Sequence, residues 1–214
     1  MNRKTQREGI AILLALFPVF YLFFSWNNIP DVVPLQWNWK GETHDLTAKI
    51  NLWLIPLFPI AAYLILRFTP TDAGTTIGKK RLEIIRLIFL LFLALLALTI
   101  IFLAKTGIPP SESLFLTFGG VAFSLIGYIL RFIKPNYFIG IRTPWTLKNE
   151  TVWKDTHESI SVFWVIGGVA MTIVSLLFSF EVTLIVEIFL FVLLVSVPII
   201  YSNVRYHELR RKKI

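Results

Sequence analysis

Long uncharged apolar runs alternate with short polar segments along the whole chain. Runs of about 18 or more such residues are what a roughly 30 Å hydrocarbon layer requires of a helix. The first run extends from about Gly9 to Trp26, with Pro18 inside it. The second, from about Ile50 to Phe68, carries Pro56 and Pro59, which predicts a kink. The third occupies about Ile84 to Ala104 and the fourth about Leu114 to Ile133. From Ser159 to Tyr201 the charges are Glu181 and Glu187, and the stretch is about twice the length of one crossing. A tight turn near Phe180-Glu181 is expected to split it into a fifth and a sixth span. The pattern thus predicts an all-α membrane protein of six transmembrane helices, a single membrane domain over residues 1–214. Its expected parts are a two-helix unit over 1–68 with an outer loop at 27–49, a four-helix unit over 84–201 with an inner loop at 134–158, and a basic tail over 202–214.

Charge fixes the orientation of this pattern. To one side fall Arg3, Lys4 and Arg7, then Arg67, Lys79, Lys80, Arg81 and Arg86, then Arg131, Lys134, Arg142, Lys148 and Lys154, and finally Arg205 and Arg210 to Lys213. The other side receives Lys40, Lys49 and Lys105. Because basic residues mark cytoplasmic span ends, both termini are expected in the cytoplasm and the chain in the bacterial cell membrane, crossing it several times. The same partition accounts for the net charge of +8 without direct nucleic-acid binding. The basic tail reads as a contact for anionic lipid, worth roughly 1 kcal/mol per residue. Arg3, Lys4 and Arg7 before the apolar stretch Ile10 to Phe24 imitate a signal peptide. That stretch ends in Phe23-Phe24-Ser25-Trp26 rather than in small residues, so it reads as an uncleaved span.

Two runs carry small residues on one face: Thr117, Gly120, Ser124 and Gly127 in the fourth, and Ser161, Gly168, Thr172 and Ser175 in the fifth. Such faces allow close helix approach, so these helices are expected to pack within the bundle.

Two polar segments remain. In the outer one, Pro30 and Pro34 impose an extended path, and Leu35, Trp37 and Trp39 then alternate with polar residues before a turn at Lys40-Gly41. Trp26, Trp37, Trp39 and Trp53 read either as an interfacial aromatic belt or as a platform that receives a peptide. In the inner one, Pro135, Gly140 and Pro144 punctuate a compact loop, and Asn149 is placed to cap a helix. Trp153, His157, Ile160 and Trp164 recur on one face of that helix, which would lay it on the membrane before the fifth span. Arg142 beside Trp145 is positioned for a cation–π contact or a lipid phosphate.

The inner segment Asn136-Tyr137-Phe138-Ile139-Gly140-Ile141-Arg142-Thr143-Pro144-Trp145-Thr146-Leu147, continued by Glu150, Val152, Trp153, Thr156 and His157, closely resembles the signature of the SdpI family of bacterial membrane proteins. The outer loop, Ile29-Pro30 and Val33-Pro34 through Trp37 and Gly41 to Lys49, is similar to the amino-terminal domain that often precedes that signature. The resemblance implies immunity against a secreted membrane-active peptide toxin, with signalling by holding a cytoplasmic repressor protein at the membrane. It implies that Asn136, Gly140, Arg142, Thr143, Pro144, Trp145, Trp153 and His157 bind a partner or build the inner loop. It also implies that Pro30, Pro34, Trp37, Trp39, Gly41 and Lys49 form the toxin-facing set. Trp37 stands where related chains often carry His, so no metal or proton role is expected there.

Other chemistry finds little footing. The chain has no cysteine, and its histidines, His44, His157 and His207, fall on different sides and cannot converge on a metal. No phosphate loop, serine triad or paired carboxylate appears, so neither enzyme activity nor a cofactor is expected. Glu187 is the carboxylate within a span, about 9 Å from the outer turn at 1.5 Å per residue, within reach of interfacial water. The rival readings are a small exporter of an amphiphile and a membrane-embedded enzyme centred on His157, Asp155 and Arg142.

Overall fold

A computed structural model of the chain describes residues 3–37, 43–69, 71, 76–111, 113–136 and 139–212. The molecule is mainly helical: α1 (Arg3–Ser25), α2 (Leu57–Phe68), α3 (Thr76–Thr106), α4 (Leu114–Leu130), α5 (Pro144–Lys148), α6 (Glu150–Leu177) and α7 (Phe180–Arg211). Among the described residues, five segments are long and apolar enough to cross a membrane: Thr5–Asn28, Lys49–Phe68, Lys79–Thr106, Glu150–Leu177 and Phe180–Arg211. The fourth expected span is shorter than the sequence pattern implied. α4 has 17 residues, about 25 Å of helix. Its last expected turn unwinds because Ile133 leaves the helix, bridges to Thr71 and turns its carbonyl toward the indole of Trp153.

The chain forms two compact units. The first comprises Met1–Phe68 with Arg86–Leu114. The second expected span is broken as its prolines dictate. A 3-10 helix at Lys49–Leu54 stops at Ile55-Pro56, and α2 restarts with Pro59 in its first turn, where no amide donor is needed. Glu8 on α1 accepts from Tyr63 (2.7 Å) and Arg67 (3.1 Å) on α2. α3 ends on Gly107 at φ +68°, whose amide closes on Leu103 O, a left-handed helix stop.

The segment between α1 and α2 departs from all-α architecture. It holds an antiparallel hairpin, β1 (Val32–Trp37) and β2 (Thr43–Ala48). Lys49 N–H bonds Asp31 O and Val33 pairs with Thr47, so Pro34, opposite Leu46, falls at a position that needs no amide donor. Val33 is fully buried with Leu22, Ile29, Leu52, Ile101 and Ala104, whereas Val32 is 52% exposed. The hairpin therefore survives by resting one face on the unit's core, which an isolated two-stranded ribbon in water lacks.

The second unit comprises Thr69–Ile85 with Phe115–Ile214. Here the two small faces, expected to pack within the bundle, meet each other. A Cβ on Gly168 would lie 2.5 Å from Gly120 O and Ser124 N, and one on Gly127 would lie 2.6 Å from Trp164 Cβ. Hydroxyls close the same contact: Thr117 with Ser175 at 2.8 Å and Ser124 onto Val165 O at 3.2 Å. The long apolar stretch turns at Phe178-Ser179, beside the expected place, with Thr183 Oγ1 donating back to Val174 O.

Two expectations change in this unit. The helix expected to lie on the membrane is the first part of a continuous α6, and Trp153, His157 and Ile160 are at most 2% exposed. That face packs on protein because the preceding loop folds over it. The segment expected as a tail from residue 202 is the end of α7, which stays helical to Arg211, with Ser202 fully buried.

Candidate functional site

The loop between α4 and α6 is irregular backbone against apolar helices, so each polar group needs a partner. The sequence supplies them. Asn136 folds the loop locally, accepting from Ile139 N–H and donating to Lys134 O and Ile139 O. Tyr137 and Phe138 lie outside the described residues. Gly140 follows at φ +123°, a conformation that L side chains rarely adopt. A Cβ there would also stand 2.7 Å from His157 Nε2 and 3.0 Å from the Trp153 ring.

That close approach lets Ile141 N–H donate to His157 Nε2 at 3.0 Å. Since Nε2 accepts, the neutral ring carries its proton on Nδ1, which donates to Trp153 O at 2.9 Å. The Trp153 ring stacks on His157 with centroids 4.2 Å apart, and its indole N–H takes Ile133 O at 2.9 Å. Two adjacent turns of α6 thus hold both ends of the loop.

The loop then enters α5 through a capping box. Thr143 Oγ1 accepts from Thr146 N, Thr146 Oγ1 accepts from Thr143 N, and Pro144 opens the helix. Thr146 also donates to Ile141 O, and Thr143 donates to Ser202 of α7 at 3.0 Å. The expected cap at Asn149 is present, its side chain accepting from Thr151 and Val152. Beyond it Asp155 pairs with Arg205 at 2.7 Å, and Arg205 also reaches Glu208.

Of the expected inner-loop residues, Gly140, Thr143, Trp153 and His157 converge on this buried cluster, and Asn136 shapes its approach. Arg142 and Pro144 face outward and Trp145 is half-buried. No cation–π contact joins Arg142 to Trp145 among the described residues, where the guanidinium has no partner. Thr146, Ser202 and Arg205 were not anticipated. Thr146 was readable as the third residue after a Thr-Pro helix start, whereas Ser202 and Arg205 carry no local signal.

The remaining candidates lie elsewhere. Pro30 is exposed and Pro34 buried. Lys49 bonds Asp31 at 2.8 Å and lies 5.1 Å over Trp26, which packs on Trp53. The Lys49 ammonium, through its hydrogen bond and its charge, holds the Asp31 carboxyl below its ordinary range. Trp37 ends β1; its side chain, like Trp39 and Gly41 entirely, falls outside the described residues. Glu187 is 5% exposed and so turned into the protein rather than toward an interface, with Oε1 unpartnered among the described residues.

The polar groups of the cluster are engaged in holding the loop. Both His157 nitrogens are taken by backbone groups and Asp155 is turned to Arg205, so the triad imagined for an enzyme does not converge. No group of three metal-ligating side chains forms among the described residues.

Comparison with known proteins points to the same segment. The model of the SdpI/YfhL protein family matches residues 133–202, the span from the Trp153-bound carbonyl to the Thr143-bound hydroxyl. The immunity protein SdpI of Bacillus subtilis (strain 168) is 25% identical over 205 residues, covering 95% of this chain and 98% of that protein. No solved structure matches.

Proposed function

The chain belongs to the SdpI family, and from that premise we propose that it is a multipass immunity protein conferring resistance to a secreted, membrane-active peptide. In this reading all six apolar helices cross the cell membrane, α4 completing its passage through the turn at Phe132-Ile133, with both termini in the cytoplasm. The β1–β2 hairpin then stands outside, where Trp37 and the neighbouring aromatics meet the peptide. The loop over 134–148 lies inside, and Arg142 offers a docking contact to a cytoplasmic protein, a transcriptional repressor held at the membrane.

The observation that carries the reading is the division of labour in the loop. Gly140, Thr143, Trp153 and His157 are spent on holding it, while Arg142 is presented outward without a partner among the described residues. A mount of this kind, with a guanidinium unpartnered among the described residues, suits a recognition surface better than a catalytic or transport site.

The test is survival of a sensitive bacterial host expressing this chain, challenged with the killing peptide against which the family's namesake protects. Trp37→Ala and Arg142→Ala variants are compared at equal membrane abundance. Protection by the wild type, lost at Trp37, supports recognition by the hairpin. Membrane retention of the repressor lost at Arg142, with protection kept, supports inner docking. Survival no better than the empty vector overturns the reading for that peptide.

A further inference from the structure

Pro198 lies inside α7, where it supplies no amide to the carbonyl four residues earlier, that of Leu194. In an apolar surround such a carbonyl must find a donor from another element. It does: the indole N–H of Trp164 on α6 donates to Leu194 O at 2.8 Å. The neighbouring packing fixes the same spot. The Leu194 side chain is buried against Gly167, where a Cβ would lie 2.6 Å from Leu194 Cδ2. The Trp164 ring meets Phe123 edge-on at 5.2 Å, and Phe123 meets Phe191 of α7 at 5.8 Å.

The geometry points to a hinge in α7 at Leu194–Pro198, latched by Trp164. The latch is a single hydrogen bond, made by a side chain of a different helix, in place of one that the α7 backbone would otherwise make itself. On one side of the hinge α7 carries the buried Glu187; on the other it carries Ser202 and Arg205, which hold the loop and the start of α6. With the latch closed the two halves move as one piece. With it open, the half that grips the loop turns independently. The use of this hinge in passing a signal inward rests on the function proposed above; its existence rests on the geometry alone.

The absence of cysteine permits site-specific labelling of the full chain without background. Ile185 and Val204 lie on α7 on either side of the hinge, 70% and 52% exposed, about 28 Å apart along the helix at about 1.5 Å per residue. Spin labels on Ile185→Cys and Val204→Cys, in lipid nanodiscs and with no peptide added, read the bend. The labelled parent should give one narrow distance distribution. Trp164→Phe, which keeps the ring beside Phe123 but removes the donor, should broaden it and add a second, shorter population. Adding Pro198→Ala, which restores the backbone amide, should return the distribution to a single narrow peak. A broad parent distribution, or a Trp164→Phe trace identical to the parent, overturns the latch. A double variant that stays broad assigns the effect to ring packing and overturns it equally. None of these outcomes depends on which peptide, if any, the protein resists.

Discussion

Replacing Gly140 by alanine is the sharpest test of how the loop is held. Two penalties fall on the same atom. At φ +123° a Cβ is strained whatever the surrounding space, a cost on the order of 1–3 kcal/mol. The same Cβ would stand 2.7 Å from His157 Nε2, closer than real Cβ atoms come. Keeping His157 in place means overpacking, roughly 1–3 kcal/mol. Moving the ring aside strands the buried Ile141 N–H instead, also roughly 1–3 kcal/mol. Either way the total is about 2–6 kcal/mol. At about 2–4 °C per kcal/mol for a chain of this size, the expected fall in melting temperature is about 4–24 °C. The assay is thermal unfolding of purified protein in one detergent at one scan rate, with Arg142→Ala as the exposed control, expected within about 2 °C of wild type. A Gly140→Ala protein that melts within about 2 °C of wild type would refute the claim that His157 and Gly140 together fix the loop.

Two further outcomes follow from particular contacts. Gly168→Val should abolish detergent-stable protein, because the new Cβ meets Gly120 O and Ser124 N at 2.5 Å, backbone atoms that cannot step aside; normal yield and melting would show that α4 and α6 do not pack so closely. Asp31 should titrate below an ordinary aspartate, and Lys49→Gln should raise it toward the ordinary range. Its folded value being the lower one, the stability it lends the hairpin is complete above the unfolded value and is lost as pH falls through the folded value. Side-chain carboxyl NMR shifts across a pH series, unchanged by Lys49→Gln, would remove the pair from the account.

What the sequence made legible follows range. Features encoded within a turn or two of chain were readable: the apolar runs, the break at Pro56 and Pro59, the Asn149 cap and the small faces of α4 and α6. Features made by pairing distant residues were not. β2 spans Thr43–Ala48 (Thr-His-Asp-Leu-Thr-Ala), which has no marked alternation; it becomes a strand because β1 offers a register and Val33 anchors the ribbon in the core. The end of α4 read as helix because Phe132-Ile133 is apolar enough to continue it. The bridge to Thr71 and the bond from the Trp153 indole, twenty residues later, take Ile133 out. The site divides in the same way. Pro135, Gly140 and Pro144 announced a compact turned loop, whereas the short helix α5 that Thr143 caps was not expected. Ser202 as the partner of Thr143, and Trp164 as the donor that Pro198 requires, depend on how α6 and α7 meet.

This division also orders what substitutions in the loop can reveal. An irregular segment against apolar helices is tolerable only when its amides and carbonyls are satisfied. Here Asn136, Thr146, Trp153 and His157 do that for Ile139, Ile141 and Ile133. Changing any of them removes the loop along with whatever the loop does, so a loss of protection at these positions measures folding. Arg142 takes no part in the satisfaction, and its removal leaves the mount intact. A phenotype at Arg142 with unchanged abundance and melting would therefore locate recognition at the guanidinium, and Arg142→Lys then separates its two contributions. Lysine keeps the charge but loses the planar fork. Recovery by lysine would indicate attraction to an anionic surface, and failure to recover would indicate a partner that is read by paired hydrogen bonds.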